Sequence, residues 1–293
     1  MGSGFIINFT PTGMIPTKAM TPRVPISPAE IVAQVDEVAR LGVNMVHLHA
    51  RDPETGQPSH RREVYAEIIR GIRAGNPELI ISVSTSGRQV AEFEKRSEVL
   101  DLEGELRPDC GSLTLSSLNF NKQASVNSPQ MIQDLAAKMR ARGIRPELEA
   151  FDLGMINYAK YLAKKGLLDP PYYFNLILGN IACAQASMLS LGLMINELPP
   201  GAIWSVGGVG DSQLSMNAMA IVAGGGVRVG LEDNIWYDEE RTRLATNSEL
   251  VERVLVIGRA MGRRPYATGE ARAVLGLPIR GDTHAGGAQP AAS

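Results

Sequence analysis

The residues Met45-Val46-His47-Leu48-His49-Ala50-Arg51-Asp52 place two histidines two positions apart in an apolar run. Side chains two apart on a β-strand point to the same face, so the rings of His47 and His49 are predicted to converge. Such a pair is half of a metal site. The alternative interpretation is a pair of core histidines that bond local carbonyls. In either case the run is predicted to be the end of a buried strand.

Seven further apolar segments alternate with helical patterns along the 293 residues. Strands are predicted at residues 5–9, 44–50, 79–85, 110–115, 146–151, 172–178, 202–206 and 227–231. Strands that alternate with helices form a parallel sheet, and eight such units close a (β/α)8 or TIM barrel. A doubly wound open sheet of six or seven strands is the main alternative. We expect one barrel domain over residues 1–293, with a poorly structured C-terminal tail from about residue 280.

Several predicted helices begin at recognisable caps. Ser27-Pro28-Ala29-Glu30 combines an N-cap, a first-turn proline and a glutamate that can bond back to the cap, and Thr246 with Glu249 repeats this capping box. Other helices are predicted around residues 64–72, 90–102, 129–142, 182–198 and 212–223 and after Gly154.

The composition limits the classes of partner. With 44% hydrophobic residues, 20% charged residues and a net charge of -2, the chain shows no bias toward nucleic acid or an anionic membrane. Cys110 and Cys183 lie in apolar surroundings without CxxC spacing, which is typical of reduced interior cysteines. We find no secretory signal pattern and no apolar run of about 18 residues that would span a bilayer. A cytoplasmic protein is expected.

In a TIM barrel the chemistry lies at the carboxyl ends of the strands. A catalytic metal there would need a third protein ligand beside His47 and His49. His60 and His284 are poorly placed, so a carboxylate is expected. Glu232 is the first candidate because the last strand lies two strands from the histidine strand, with Glu147 and Glu149 as alternatives. Two imidazoles and one carboxylate suit Zn²⁺, although other divalent transition metals accept the same set.

Two charged residues at the last strand are candidates for catalysis. Asp233, beside the candidate ligand Glu232, could act as a general base on a keto acid, or it could be an ordinary turn residue. Arg228 could hold a substrate carboxylate or a developing oxyanion, or it could form an interior ion pair with Glu147 or Glu149.

Six motifs occur in order along the chain: Asn8-x-Thr10-Pro11-Thr12-Gly13-Met14-x-Pro16-Thr17-Lys18, Pro25-x-Ser27-Pro28-x-Glu30-Ile31, His47-Leu48-His49-Ala50-Arg51-Asp52, Ser84-Thr85-Ser86-Gly87, Pro146-Glu147-Leu148-Glu149-x-Phe151-Asp152 and Gly230-Leu231-Glu232-Asp233-Asn234. Together they resemble the β-keto acid cleavage enzymes. The resemblance covers essentially the whole chain, and the histidine motif combined with the last motif is specific.

The resemblance implies a homotetrameric, Zn²⁺-bearing TIM barrel that exchanges a β-keto acid and acetyl-CoA for acetoacetate and a new acyl-CoA. It implies His47, His49 and Glu232 as metal ligands, Asp233 as the residue that takes the α-proton of the metal-bound keto acid, and Arg228 as its partner. Substrate contacts are then expected from Ser84, Thr85 and Gly87, from Ser112 or Thr114, and from Glu147 and Met14.

One departure from the family bears on the substrate. The aminohexanoate-cleaving member has an acidic residue near the positions of Met14 and Ile15, where this chain has none. We therefore expect a neutral or apolar side chain on the keto acid rather than a positively charged one, although Glu147 or Glu149 could supply a negative charge. A class II-type metal-dependent aldolase or lyase and a non-catalytic metabolite-binding barrel stay open, and dependence on CoA would separate the enzymes.

Overall fold

Eight parallel strands close a barrel in the computed structural model, which describes residues 4–280. The barrel strands are β1 (Ile7–Phe9), β2 (Met45–Leu48), β3 (Ile80–Val83), β4 (Cys110–Thr114), β5 (Arg145–Ala150), β6 (Tyr173–Leu178), β7 (Ile203–Gly208) and β8 (Gly226–Val229). Each strand pairs with its successor, and β8 pairs with β1. The predicted TIM barrel is confirmed, and the open sheet is excluded. The predicted tail lies outside the described residues, and the single-domain prediction for residues 1–293 stays a prediction.

Helices follow the strands and surround the barrel. They are α1 (Pro28–Arg40), α2 (Arg62–Gly75), α3 (Phe93–Ser97), α4 (Pro129–Ala141), α5 (Leu153–Lys164), α6 (Met188–Glu197), α7 (Gln213–Val222), α8 (Asn247–Ala260) and α9 (Thr268–Val274). Both predicted capping boxes form, Ser27 with Glu30 and Thr246 with Glu249. Among residues 4–280, every helix is too short or too polar to cross a membrane.

Two helices differ from the predicted bounds. The segment predicted as helix at 90–102 contains only the short α3, followed by a 3₁₀ turn at Glu98–Asp101. The helix predicted to begin at residue 182 begins at Met188, because the Ser187 hydroxyl accepts a hydrogen bond from the backbone N–H of Ser190 and caps the helix there. The predicted start was too early because apolar residues before Ser187 continue the helical pattern in the sequence.

The two ends of the barrel are closed differently. At the amino end a small apolar cluster fills the interior, and α9, which the sequence did not predict, packs against it through Ala271. Cys110 belongs to this buried cluster, as predicted, whereas Cys183 is partly exposed. The carboxyl end is open, so it is the end at which a ligand can enter.

Candidate active site

His47 and His49 converge at the carboxyl end of β2, as their two-residue spacing predicts. Both are buried, and their Nε2 atoms are 3.2 Å apart. Burial lowers the pKa of His49, although Glu232 opposes this effect, so the neutral form of the ring is favoured. A neutral imidazole is the form that binds metals.

Glu147 holds His47 from behind. Its carboxylate accepts a hydrogen bond from His47 Nδ1 at 2.8 Å and further bonds from the side chains of Asn8, Ser82 and Asn175. Burial would raise the pKa of Glu147, but His47, the charge of Arg228 and the Ser82 hydroxyl lower it to about 2. The Nε2 atom of His47 is therefore left to face His49. A carboxylate that orients a histidine in this way is typical of the surroundings of a metal ligand.

Glu232 completes a group of three candidate ligands. One carboxylate oxygen lies 3.2 Å from His49 Nε2, and the other is buried without a hydrogen-bond partner among residues 4–280. The candidate ligand atoms of His47, His49 and Glu232 lie within 4.8 Å of one another. Atoms about 2.0–2.1 Å from a tetrahedral ion would be roughly 3.3 Å apart, so the donor set fits Zn²⁺.

Glu147 and Glu149 form an alternative group with His47, also within 4.8 Å. The fit there is poorer, because Glu147 already accepts hydrogen bonds on both oxygens and Glu149 accepts one from Thr114 at 2.7 Å. The orphaned oxygen of Glu232 favours the first group.

Arg228 lies among three carboxylates at the end of β8. Its Nε atom is 2.7 Å from Asp233 Oδ2, its Nη2 atom is 2.7 Å from Glu232 Oε1, and its Nη1 atom is 3.8 Å from Glu149. Burial would lower the pKa of Arg228, but Asp233 and Glu232 raise it well above the ordinary value. Arg228 is thus paired with Asp233 and Glu232 more closely than with Glu149, and it does not pair with Glu147.

Asp233 lies in the turn after β8, with its side chain directed at the site. Burial raises the pKa of this carboxyl, Arg228 lowers it, and the net shift is upward. A base with a raised pKa accepts a proton from carbon more readily than an ordinary aspartate does. The turn position, which by itself suggested a structural role, thus also brings the Asp233 side chain to the wall of a cavity.

Close backbone approaches explain how these side chains fit. Gly13 has φ +63°, and a Cβ there would lie 2.5 Å from the side chain of Glu232. Arg51 holds this first loop by donating hydrogen bonds to the carbonyls of Gly13 and Pro16, both at 2.8 Å. A Cβ at Gly207 would lie 3.0 Å from the Arg228 side chain. Glycine is therefore required at Gly13, whereas a side chain at Gly207 would force Arg228 to shift by a few tenths of an ångström.

A cavity of about 780 Å³ opens over these residues. Of the residues predicted at the site, it is lined by Met14, His49, Ser84, Thr114, Glu149, Arg228, Glu232 and Asp233. Four predicted substrate contacts do not line it. Thr85 and Ser112 bond to each other, Gly87 lies against Arg96, and Glu147 is fully buried behind His47. Direct substrate contact by these four residues has no support from the cavity.

Sequence reasoning missed several residues on the cavity wall. Arg88 follows the Ser84–Gly87 motif directly, and extending the strand-end set by one residue would have included it. Phe120 and Lys122 come from a hairpin after β4, in which Leu118–Asn119 pairs with Ala124–Ser125. Two-residue strands leave no periodic signal in a sequence, so this hairpin could not have been predicted.

Known proteins resemble this chain in sequence over most of its length. The sequence profile described as beta-keto acid cleavage enzyme matches residues 5–277. The chain is 36% identical over 277 residues to 3-oxoadipate:acetyl-CoA acetyltransferase of Cupriavidus necator, covering 93% of this chain and 95% of the relative. It is 35% identical over 263 residues to 3-keto-5-aminohexanoate cleavage enzyme of Fusobacterium nucleatum, covering 89% and 93%.

A solved structure supports the fold independently. The ternary complex of ObcA with a C4-CoA adduct and oxalate superposes with a TM-score of 0.77 at 23% identity, covering 89% of this chain and 68% of that chain.

Proposed function

This chain belongs to the β-keto acid cleavage enzyme family and is an acyltransferase, and from that premise we propose that it converts a β-keto acid and acetyl-CoA into acetoacetate and a new acyl-CoA. The observation that carries the proposal is the convergence of His47, His49 and Glu232 with the Arg228–Asp233 pair at one end of one cavity. These groups together suit removal of a proton next to a ketone.

His47, His49 and Glu232 would hold the metal, for which Zn²⁺ is proposed. A divalent ion at this place supplies a Lewis acid that makes the α-protons of a β-keto acid easier to remove. The orphaned oxygen of Glu232 and the facing Nε2 atoms of the two histidines support this assignment.

Asp233 is proposed as the base that takes a proton from C2 of the keto acid. Arg228 orients the carboxylate of Asp233 through two hydrogen bonds, at 2.7 and 3.2 Å. Arg228 Nη1 is buried 3.8 Å from Glu149 and has no hydrogen-bond partner among residues 4–280, so it is a spare donor that a developing oxyanion beside it could use.

The remaining steps follow from the products. The C2 carbanion attacks the acetyl carbonyl of acetyl-CoA, and the CoA thiolate leaves. The thiolate then attacks C3, the C2–C3 bond breaks, and acyl-CoA forms. The acetoacetate carbanion takes back the proton held by Asp233, so no net proton or electron is exchanged.

The other readings of the sequence lose support. The relatives carry enzyme names, so a non-catalytic barrel has nothing in its favour. A class II-type aldolase or lyase would use the same metal ligands without CoA.

The direct test is to incubate Zn²⁺-loaded protein with acetyl-CoA and a panel of β-keto acids and to measure acetoacetate and free CoA. Acetoacetate formation that requires acetyl-CoA is expected, and cleavage without it would indicate the aldolase.

A homotetramer and a cytoplasmic location stay predictions. Association is supported by an apolar surface around α6 that exposes 66% of Ile181, 75% of Met188 and 73% of Leu189. Light scattering coupled to size-exclusion chromatography would measure the mass of the particle. A mass equal to that of one chain would contradict the tetramer.

A further inference from the structure

Arg88 lies in the loop that follows β3 and lines the cavity. The guanidinium carbon is 3.4 Å from the ring centroid of Phe120, and Phe120 in turn packs edge-on against Phe151 at 6.0 Å. The aromatic ring covers one face of the guanidinium group. Its N–H donors lie around the edge and stay free to bind a planar anion.

The guanidinium of Arg88 makes no direct contact with a carboxylate among residues 4–280, although Glu232, Glu149 and Asp233 attract its charge from other walls of the cavity. It makes no hydrogen bond or ion pair with any residue of this range, although the residue is half-buried. The two other arginines that line the cavity are each paired, Arg228 with Asp233 and Arg241 with Asp211. A stacked, partly buried and unpaired guanidinium is an expected binding group for a carboxylate.

The position of Arg88 indicates which end of the substrate it meets. Ser84 lies level with the histidines, since its backbone N–H donates to the carbonyl of Leu48 at 3.0 Å. Arg88 comes four residues later and contacts the hairpin after β4, so it lies beyond the strand ends. In a β-keto acid one methylene separates the C1 carboxylate from the ketone. Both groups therefore stay near the metal ligands, and the far end of the acid extends outward.

We propose that Arg88 binds a second carboxylate at the far end of the substrate, so that this enzyme acts on dicarboxylic β-keto acids. This inference rests on the proposed function. The acyl-CoA product would then carry a free carboxylate, and the bonds formed and broken are those given above. Met14 and Ile15 offer no negative charge to a cationic far end. Arg88 changes the expected substrate side chain from neutral or apolar to anionic.

The test compares two acids of equal length, 3-oxoadipate, which ends in a carboxylate, and 3-oxohexanoate, which ends in a methyl group. Calorimetry without acetyl-CoA gives the Kd of each acid for Zn²⁺-loaded wild type, Arg88→Gln and Arg88→Lys. We expect the wild type to bind 3-oxoadipate about 10- to 100-fold more tightly, R88Q to lose most of this preference, and R88K to keep part of it.

Lys122→Gln is the matched control, because it removes the same charge from an exposed residue on the same cavity wall. We expect less than about a threefold change in the affinity for 3-oxoadipate. An equal loss in K122Q would mean that the overall charge, and not Arg88, sets the preference, and the inference would be wrong.

Three further outcomes would overturn the inference. Equal affinity of the wild type for the two acids would show no site for a far carboxylate. A similar loss for both acids in R88Q would assign Arg88 to the C1 carboxylate that they share. Unchanged Kd values for both acids in R88Q, together with a raised KM for acetyl-CoA in the acetoacetate assay, would assign Arg88 to a CoA phosphate. Since the Kd values are measured without acetyl-CoA, a preference lost in R88Q supports the carboxylate site even if no acetoacetate forms and the proposed function fails.

Discussion

The two ends of the barrel carry charge clusters of opposite design. At the carboxyl end one arginine, Arg228, lies among three carboxylates. At the amino end one carboxylate, Asp109, lies among Arg73, Arg272 and Arg280 at 2.6, 2.9 and 3.6 Å. Both central groups are buried, so burial of charge by itself does not distinguish a catalytic site from a structural one.

The clusters differ in which atoms are left over. Asp109 has partners on both oxygens, and Arg272 donates from all three of its nitrogens. Arg73 Nε is the one atom of these two arginines and Asp109 without a partner among residues 4–280. At the carboxyl end an oxygen of Glu232 and a nitrogen of Arg228 both lack a hydrogen-bond partner in the described part of the chain, beside a large cavity. The candidate active site is thus distinguished by hydrogen-bond donors and acceptors that lack partners and lie beside a cavity.

Asp233→Asn gives the sharpest test of the carboxyl-end cluster. We expect kcat/KM to fall by about 10³- to 10⁴-fold, since the amide cannot accept the C2 proton. Acetoacetate formation under saturating Zn²⁺ measures this effect. Asp169→Asn is the control, because it makes the same chemical change in an exposed ion pair with Arg140. If D233N retained more than about a tenth of the activity, Asp233 would not be the base.

Asp109→Ala tests the amino-end cluster. Removing the central carboxylate leaves Arg73 and Arg272 buried without their partner, so the free energy of unfolding should fall by about 3–5 kcal/mol. Urea unfolding measures the loss. Activity per folded molecule should change by less than about twofold, because the cluster lies at the end of the barrel opposite the cavity. A large loss of activity in folded D109A would contradict the proposal that the amino end is structural and the carboxyl end is catalytic.

Glu147→Gln tests the carboxylate behind His47. We expect Zn²⁺ affinity to fall about 10- to 100-fold, because the amide lacks the carboxylate charge and has one accepting oxygen where Glu147 uses two to hold His47, Ser82, Asn8 and Asn175. Competition with a chelator gives the affinity. Glu149→Gln is the comparison, since Glu149 belongs only to the alternative ligand group. The Zn²⁺ affinity of E149Q is then compared with that of Glu232→Gln, which changes a ligand of the first group. A larger loss in E149Q than in E232Q would mean that the metal binds to the alternative group.

Glu30→Gln tests a charge outside both clusters. Burial would raise the pKa of Glu30, but Lys18 and the backbone of Ile26 and Ser27 lower it to about 2. Because the pKa of Glu30 is lower in the folded protein than in the unfolded chain, the charged carboxylate stabilises the fold at pH values above about 4.5. This stabilisation is lost as the pH falls from about 4.5 toward about 2. Because Glu30 is partly exposed, the loss in E30Q should be below about 1 kcal/mol at pH 7. The difference from wild type should shrink on acidification, and a constant difference would contradict the assignment.

Local patterns in the sequence predicted much of the fold. The capping boxes of Ser27 and Thr246 depend on residues three apart, so the chain specifies them without its neighbours. The convergence of His47 and His49 follows from the alternation of side chains along one strand. Eight strand–helix units predicted closure, because no other regular arrangement uses that number so readily.

Contacts across the barrel could not be predicted from such local patterns. The position of Glu147 behind His47 depends on the register of β5 and of the strands around it, and composition carries no record of register. The stacking of Arg88 on Phe120 joins two loops 32 positions apart in the sequence. α9 was missed because much of its burial is against the closed end of the barrel, which exists only once the strands have paired.

By itself the sequence determined the barrel, the histidine pair and the family, since each depends on short-range spacing or on motif order. The tertiary structure decided which carboxylates orient, which could bind a metal and which could accept a proton. Those roles depend on distances of about 3 Å between residues far apart in the chain, where a hydrogen bond either forms or does not. It also brought Arg88 to the cavity without a hydrogen bond or ion pair to any residue in the range 4–280, and the proposed substrate class depends on that guanidinium.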